Sequence, residues 1–536
     1  MIEGMQDIRN MPIGIQDFPS MMEGNYVYVD KTHFIPMLEK LGRAYFLSRP
    51  RRFGKSLFLS TLQAYFEGRS ELFKGLAIEK YKVERGDEWK SYPILKLDLN
   101  AKKYTQKDDL DIILSDHIDK WKTIYEIECE YKDSDSAFAK IIRALYEKFN
   151  KRVVILIDEY DKPLIATLEN EKLQEEYRAT LKAFYSVIKS LNGCIHMSFL
   201  TGVTKFSKVS IFSDLNNLDD ISFDDEYSSI CGITEEELLH CFSPEVGALA
   251  DKYKHSYDEM LGILRAKYDG YRFSENEERL YNPFSLLNAL SKKMLGDYWF
   301  ATGTPTFMMQ LLQQYAFPIP DLEGSISMRG NDLDVYRVGS ANVIPLLFQT
   351  GYLTIKDYRR EDNSYVLGYP NDEVKYAFVY HLMATYTDGK TLALGEFRID
   401  FFNEAIQKGD MDRLLNLIKS LLASIPYDSF PKDKLFLREH NYQTAIYLMF
   451  CLMGQYARCE VHSSKGRSDV EVETKDAIYI FEFKVGGKPI DAINQIKDSG
   501  YLDKYSASKK NIFLIGANIS RNRRTLGRWT IEKVIN

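Results

Sequence analysis

Residues 43–66, RAYFLSRPRRFGKSLFLSTLQAYF, are the stretch that decides the fold of the N-terminal part of this chain. An apolar run ends in charge at Arg49, and residues 57–66 carry apolar side chains at helical spacing, so the pattern predicts a strand, a loop and a helix. The loop ends in Gly54, Lys55 and Ser56, which match the end of the phosphate-loop consensus Gly-x-x-x-x-Gly-Lys-Ser/Thr. That consensus would place its first glycine at position 49, where this chain has arginine.

These residue types predict a loop that binds the phosphates of a nucleotide. Backbone N–H groups around Gly54 would face the phosphates, Lys55 would reach the terminal ones, and the Ser56 hydroxyl would hold Mg²⁺. Because Gly-Lys-Ser alone also occurs by chance, the interpretation depends on a second motif.

The second motif is residues 152–161, RVVILIDEYD. An unbroken run of Val, Ile and Leu that ends in two acids is typical of a buried central strand whose C-terminal end presents carboxylates. In a P-loop NTPase, Asp158 would orient Mg²⁺ and its water, and Glu159 would polarise the water that attacks the γ-phosphate. An apolar strand followed by an exposed acidic turn is the alternative.

Two further runs complete a predicted sheet. Residues 93–99 (PILKLDL) and 195–203 (IHMSFLTGV) have the length and composition of strands and lie between helical stretches, which favours parallel strands in alternating β and α units. Thr201, at the end of the second run, is placed to sense the γ-phosphate beside the catalytic water. A threonine that simply ends a strand is the alternative.

The middle of the chain reads as helices followed by a hairpin. Residues 234–239 (TEEELL) open a helix with a capping Thr and acids in the first turn. Residues 351–356 and 365–368 predict a β-hairpin after helices, as in the wing of a winged-helix unit, which either binds DNA or clamps the chain from within. Arg272 either touches a nucleotide or has a packing role.

Near the C-terminus, residues 467–473 (RSDVEVE) and 478–484 (IYIFEFK) predict two paired strands. A tight turn between them places Asp469 directly opposite Glu482, with Lys484 on the same face. Divalent-metal phosphodiester hydrolysis requires such a set: Asp469 and Glu482 would bind Mg²⁺, and Lys484 would orient the attacking water or stabilise charge. A solvated hairpin with alternating charges is the alternative.

Three phrases in the first 76 residues resemble the AAA-ATPase-like family that carries a C-terminal PD-(D/E)XK nuclease-like domain: GIQDF at 14–18, YVDKT at 28–32 and LSRPRRFGKS at 47–56. In that family the phosphate loop is itself written RPRRFGKS, so the resemblance implies that arginine at position 49 is the family form. It further implies that residues 28–32 lie near the adenine and that Arg51 or Arg52 lies near the phosphates. Two solvated surface arginines are the alternative.

The nuclease-like domain of that family is matched by GRSD at 466–469, IFEFK at 480–484 and NQIK at 494–497. The resemblance implies catalytic roles for the two acids and the lysine, and a contact of Gln495 with substrate or water. It also implies an additional acid, Glu439, for which helix capping is the alternative. The superfamily motif, Pro-Asp followed by Asp/Glu-x-Lys, has proline at the position that Ser468 occupies in this chain.

The predicted fold is α/β in three parts. Residues 1–215 form a P-loop NTPase domain with an AAA/ASCE-type parallel sheet, and residues 216–375 form a helical lid and winged-helix-like region. Residues 376–536 form a PD-(D/E)XK nuclease-like domain with its core at about 432–518. The predicted function is ATP hydrolysis that gates or positions Mg²⁺-dependent, or alternatively Mn²⁺-dependent, cleavage of nucleic acid, with DNA favoured over RNA. The alternative is an ATP-dependent regulatory switch whose nuclease-like domain only binds nucleic acid or a protein.

Composition sets the remaining expectations. The 536 residues, 45% hydrophobic and 27% charged, indicate a globular protein of several domains. The net charge of −7 argues against a nucleic-acid-coating protein, but residues 485–536 carry ten Lys or Arg against four acids, a local +6. Six cysteines without a CxxC pair and no apolar run of membrane-spanning length predict a cytoplasmic protein without a membrane partner. A homo-oligomer is left open.

Overall fold

The computed structural model describes residues 10–41, 44–100, 103–168, 170–205, 218–302, 306–315, 317–333, 342–386, 399–423, 435–454, 458–464, 467–498, 505, 508–520 and 525–534. The chain forms two compact units. The first consists of Met1–Trp299 and Ser327–Asp372, and the second of Phe300–Ile326 and Glu373–Asn536. The three-part division at residues 215 and 375 stays a prediction.

The α-helices in chain order are α1 (Phe18–Glu23), α2 (Ile35–Leu41), α3 (Lys55–Phe66), α4 (Ala77–Arg85), α5 (Asp109–Tyr125), α6 (Ser134–Phe149), α7 (Lys162–Ala166), α8 (Glu171–Ser190), α9 (Glu235–Tyr253), α10 (Tyr257–Tyr268), α11 (Pro283–Lys292), α12 (Thr306–Gln314), α13 (Gly330–Leu333), α14 (Ile344–Gln349), α15 (Asp372–Tyr386), α16 (Ile399–Gln407), α17 (Met411–Ala423), α18 (Leu435–Met453) and α19 (Pro489–Asp498). The strands are β1 (Ala44–Ser48), β2 (Ile94–Asp98), β3 (Val153–Asp158), β4 (Ile195–Gly202), β5 (Leu218–Asp220), β6 (Ile326–Arg329), β7 (Thr354–Arg359), β8 (Ser364–Gly368), β9 (Arg458–Ser464), β10 (Arg467–Glu473), β11 (Ala477–Val485), β12 (Asn511–Ser520) and β13 (Thr525–Val534).

The first unit is built on a parallel sheet with the strand order β2-β3-β4-β1-β5. Strand β4 lies between the phosphate-loop strand β1 and the acid-bearing strand β3, which is the AAA/ASCE arrangement and confirms the predicted fold class. β1 and β3 are buried from end to end, because helices cover both faces of a parallel sheet. The short strand β5 was not predicted, since its three residues are too few to show a pattern.

One face of this sheet is covered by α5, α6 and α8. Helix α6 shows why: its buried residues Ala137, Phe138, Ile141, Ile142 and Leu145 fall at helical spacing on a single side. They join the buried residues of β2 and β3 in one hydrophobic core. The carboxyl ends of the strands, where the predicted site residues lie, are thereby held on a rigid frame.

A helical region and a small sheet complete the first unit. Helix α9 begins at the predicted position, where Thr234 and Glu237 form a capping box. The predicted hairpin is confirmed as β7 and β8, which pair antiparallel in a sheet of order β6-β8-β7. Its first strand begins three residues later than predicted, because Gly351 has a φ of 89° in the turn that ends α14.

The second unit contains a sheet of order β13-β12-β11-β10-β9, antiparallel except for the parallel pair of β11 and β12. Helix α19 packs on β11 and β12 through Ile493 and Ile496. The predicted register is confirmed, since Glu473 faces Ile478 and Asp469 faces Glu482. Within the described part of the chain, no helix combines the length and the apolar character that a bilayer crossing requires.

Candidate active sites

The phosphate loop joins the end of β1 to the start of α3. Gly54, the residue before the helix, has a φ of 97°, a conformation that favours glycine. A Cβ built on Gly54 meets no heavy atom of the described residues within 4 Å, so this side of the loop is open. Lys55 is buried, and its Nζ donates to the carbonyl oxygens of Arg49 at 3.1 Å and Pro50 at 3.2 Å. An open cradle at a helix N-terminus with a lysine beneath it fits a nucleotide phosphate.

Arg49, the departure from the consensus, points into the protein. Its side chain is 1% exposed, and its guanidinium donates to four backbone carbonyls, at 2.8 to 3.3 Å. These carbonyls belong to Ser48, Ser222, Tyr227 and Ser228. The guanidinium also lies 4.2 Å from the ring centroid of Phe273, and burial lowers its pKa to about 10. Arg49 therefore anchors the base of the phosphate loop to residues 222–228.

The two arginines predicted near the phosphates have different surroundings. Arg51 is exposed. Arg52 has a φ of 68°, and its guanidinium lies 3.6 Å from the ring centroid of Phe284 and donates to the carbonyl oxygen of Tyr298 at 3.1 Å. Arg52 thus connects the phosphate loop to the helical region, and a phosphate contact of either arginine stays a prediction.

The acids of the second motif lie at the end of β3, beside the phosphate loop. Thr201 Oγ1 donates to Asp158 Oδ1 at 2.6 Å, and Glu159 Oε1 lies 3.9 Å from Lys55 Nζ. Glu159 has a φ of 54°, which turns the chain directly after the strand. Ser56 follows on the first turn of α3 and is half-buried. The structure therefore brings Lys55, Asp158, Glu159 and Thr201 together at the carboxyl ends of neighbouring strands.

Asp161, which sequence reasoning did not single out, ties this edge together. Its carboxylate accepts the backbone N–H groups of Val203 at 3.2 Å and Thr204 at 2.6 Å, and the Thr204 hydroxyl at 2.5 Å. Tyr160 donates its hydroxyl to the Thr204 carbonyl at 2.7 Å. A Cβ on Gly202 would lie 2.4 Å from the Tyr160 ring, so only glycine allows this approach. Burial and the charge of Glu159 raise the pKa of Asp161 to about 6.

Two other candidates have contacts within the protein. Lys31, from the stretch predicted near the adenine, forms a 2.6 Å ion pair with Glu237 at the start of α9. Arg272 is buried and donates to the carbonyl oxygens of Ser274 at 3.1 Å and Lys356 at 3.4 Å. These bonds to backbone carbonyls favour the packing role for Arg272.

The second candidate site lies on β11 and α19. The Glu482 side chain is 2% exposed, and its Oε1 lies 3.3 Å from Lys484 Nζ. Lys484 Nζ also donates to Gln495 Oε1. Backbone register puts Asp469 directly opposite Glu482, whereas the structure describes only the backbone of Asp469 and Glu439. The structure thus brings Glu482, Lys484 and Gln495 together.

Glu482 also provides a test of whether a metal ion fits here. Its Oε2 is buried and has no hydrogen-bond partner among the described residues. Leaving a buried carboxylate oxygen unsatisfied is costly, and a bound cation would remove that cost. The described residues contain no group of three His, Cys, Asp or Glu side chains that could hold a metal, so the further ligands would come from Asp469 and from water.

The basic C-terminal stretch is partly engaged within its own unit. Lys497 pairs with Glu532 at 2.6 Å, and Lys510 pairs with Glu473 at 2.7 Å. Lys533 Nζ lies 5.7 Å from the ring centroid of Phe513. The local charge of +6 therefore overstates the number of cations that a phosphate backbone would meet on this stretch.

Known proteins resemble the chain at both sites. A family model described as predicted AAA-ATPase matches residues 12–212, and a model of the PD-(D/E)XK nuclease superfamily matches residues 437–529. A protein of Azotobacter chroococcum mcd 1, "Uncharacterized protein in vnfD 5'region", is 36% identical over 534 residues, which cover 98% of this chain and 99% of the relative. Among solved structures, the Aeropyrum pernix ORC2 protein in ADPNP-ADP complexes matches 66% of this chain and 88% of its own, with 12% identity and a TM-score of 0.24. That TM-score is too low for the likeness to bear on fold or function.

Proposed function

Since the chain belongs to the family of predicted AAA-ATPases that carry a C-terminal PD-(D/E)XK nuclease superfamily domain, we propose that it hydrolyses ATP at the first site and cleaves DNA at the second. The observation that supports ATP hydrolysis most is the convergence of Lys55, Asp158, Glu159 and Thr201 beside an open phosphate loop. The nuclease half rests on the buried Glu482 beside Lys484.

At the first site, bound Mg²⁺ would supply charge neutralisation for the phosphates, and Ser56 and Asp158 would hold it. Lys55 would donate to the terminal phosphates with the ammonium group that is now bonded to two carbonyl oxygens of the loop. Thr201 fixes one oxygen of Asp158, and Glu159 is the general base for the attacking water. Lys55, Asp158, Glu159 and Thr201 each contact a neighbour before substrate arrives, which lowers the cost of ordering them.

At the second site, Glu482 and Asp469 would hold a divalent cation, Mg²⁺ or Mn²⁺, that polarises the scissile phosphate. Lys484 is fixed between Glu482 and Gln495, so its ammonium group has a defined position beside the carboxylate. From there it orients the attacking water or stabilises the charge of the transition state. Gln495 positions Lys484 through its amide oxygen.

We place cleavage under the control of the ATPase, because both activities reside on one chain. DNA is the proposed substrate, and the same assays include RNA, whose cleavage in place of DNA is the competing outcome.

ATP hydrolysis is tested by phosphate release and nucleotide binding in Mg²⁺ for wild type, Lys55→Ala and Glu159→Gln. We expect Lys55→Ala to lose both activities, and Glu159→Gln to bind ATP while its turnover falls about a hundredfold or more, the usual contribution of a general base. Equal turnover for wild type and Glu159→Gln would remove Glu159 from the mechanism. If the wild type binds ATP but releases no phosphate, the first site is a nucleotide-binding switch and does not hydrolyse ATP.

A further inference from the structure

Helix α14 precedes the β7–β8 hairpin, the position of the recognition helix in a DNA-reading winged-helix unit. All six of its residues, from Ile344 to Gln349, are buried. A helix that enters a DNA groove needs an exposed polar face, and α14 presents none. Its buried face must therefore serve the interior of the first unit.

The polar end of α14 contacts the segment that follows β4, the strand that carries Thr201. Gln349 Oε1 accepts the backbone N–H of Lys205 at 2.7 Å, four residues beyond Thr201. The same amide group donates through Nε2 to the carbonyl oxygen of Leu333 at 2.6 Å. We call α13, α14, β7 and β8 the winged region. Both bonds are buried, so Gln349 joins the segment that follows β4 to the winged region without help from solvent.

Apolar contacts flank this bond on one side. The ring of Phe348 stacks on Phe223 with centroids 5.7 Å apart and an interplanar angle of 3°, and Phe223 also stacks on Tyr365 of β8. Lys205 Nζ lies 4.1 Å from the Phe223 centroid and pairs with Asp220 at 2.9 Å. Phe223 therefore links Lys205, which follows β4, to α14 and to the hairpin.

The phosphate loop touches the same segment from the other side. A Cβ on Gly351 would lie 2.7 Å from Pro50 Cβ, so the turn after α14 rests directly on the loop. This segment thus contacts the phosphate loop through Gly351 and, through the Gln349 side chain, the residues that follow β4. A change at either place moves the base of the hairpin, because close-packed contacts transmit displacement.

We propose that Gln349 is a positioning residue for ATP hydrolysis, and that the winged region acts as an internal clamp on the nucleotide site. The inference rests on the proposed ATPase function and goes beyond it by assigning the winged region a role within the chain. Through Lys205, Gln349 fixes the strand end that carries Thr201 and hence the orientation of Asp158.

The test compares Gln349→Met, which keeps the side-chain volume but loses both hydrogen bonds, with Arg360→Ala at the exposed tip of the hairpin. We expect Gln349→Met to lower kcat for ATP about tenfold, because the segment that follows Thr201 is no longer held in place, with little change in KM. Arg360→Ala should keep wild-type kcat and KM. A Gln349→Met enzyme with wild-type kcat would overturn the proposal, as would equal losses in both variants.

A second measurement on the wild type needs no variant. Hydrogen exchange of residues 344–368 is followed with and without a non-hydrolysable ATP analogue. Slower exchange in the presence of the analogue supports the clamp, and unchanged exchange with the analogue bound contradicts it. If the wild type binds the analogue but releases no phosphate from ATP, hydrolysis itself is refuted while the exchange result still decides the coupling.

Discussion

Replacing Arg49 with glycine completes the phosphate-loop consensus of residues 49–56, yet we expect the variant to be less stable and to bind ATP poorly. Position 49 is not among the described residues with positive φ, so its backbone does not need glycine. The guanidinium, in contrast, satisfies four buried carbonyls at the base of the loop. Without it, those carbonyls and the ring of Phe273 lose their common partner.

The magnitude follows from two opposing effects. Hydrogen bonds from a charged donor contribute about 1.5–3 kcal/mol each, and four of them exceed the desolvation cost of the charge. That cost is roughly 3 kcal/mol, because burial lowers the pKa of Arg49 to about 10. We expect Arg49→Gly to lower the free energy of unfolding by at least about 3 kcal/mol, the difference that remains when each of the four bonds contributes at the low end of its range. The corresponding fall in Tm is roughly 10 °C.

Thermal unfolding and titration with a fluorescent ATP analogue measure both effects. Arg51→Gly is the matched control, because it makes the same change two residues away in the same loop at an exposed position. Its Tm should stay near that of the wild type, since surface substitutions usually change stability by less than about 0.5 kcal/mol. An Arg49→Gly variant with the wild-type Tm and affinity would refute the anchoring role.

Three further predictions concern the two sites. Gly202→Ala should lower Tm and ATP turnover, because its Cβ would lie 2.7 Å from Asp161 Oδ1, whereas Gly193→Ala, which meets no described atom within 4 Å, should change neither. Since the pKa of Asp161 is raised to about 6, its charge destabilises the fold above that pH, and this penalty disappears as the pH falls towards 4. The Tm of Asp161→Asn minus the Tm of wild type should therefore be higher at pH 7 than at pH 5, whatever the lost hydrogen bonds cost at both; a difference that is the same at both would contradict this. Glu482→Gln should abolish the rise in Tm that Mg²⁺ or Mn²⁺ gives the wild type, and a full rise in the variant would remove Glu482 as a ligand.

The sequence was sufficient for elements whose pattern is local. The register that places Asp469 opposite Glu482 could be predicted because a tight turn and strict alternation leave one pairing that buries Val470, Val472 and Phe481. Apolar runs likewise predicted the four longer strands of the parallel sheet. An apolar run of strand length between two helices is typical of a strand that helices cover on both faces.

The residues that escaped sequence reasoning act through tertiary contacts. In the sequence, Asp161 is one of three acids that follow a strand. Only its hydrogen bonds to Val203 and Thr204 distinguish it from a solvated side chain. Gln349 contacts Lys205, which lies 144 positions earlier in the chain, and no spacing rule connects them. Arg49 appeared only as a missing glycine. In each case the signal was a polar residue at a position that the fold buries.

The most direct test of the account is cleavage of duplex, branched and single-stranded DNA, with RNA alongside, in Mg²⁺ or Mn²⁺ and with or without ATP. Wild type, Lys55→Ala and Lys484→Ala are compared on each substrate. We expect the wild type to cut at least one DNA substrate, Lys484→Ala to cut none while it releases phosphate from ATP at the wild-type rate, and Lys55→Ala to lose the effect of ATP on cleavage. If the wild type cuts no substrate, or if Lys484→Ala cuts as fast as the wild type, the proposed nuclease site is wrong.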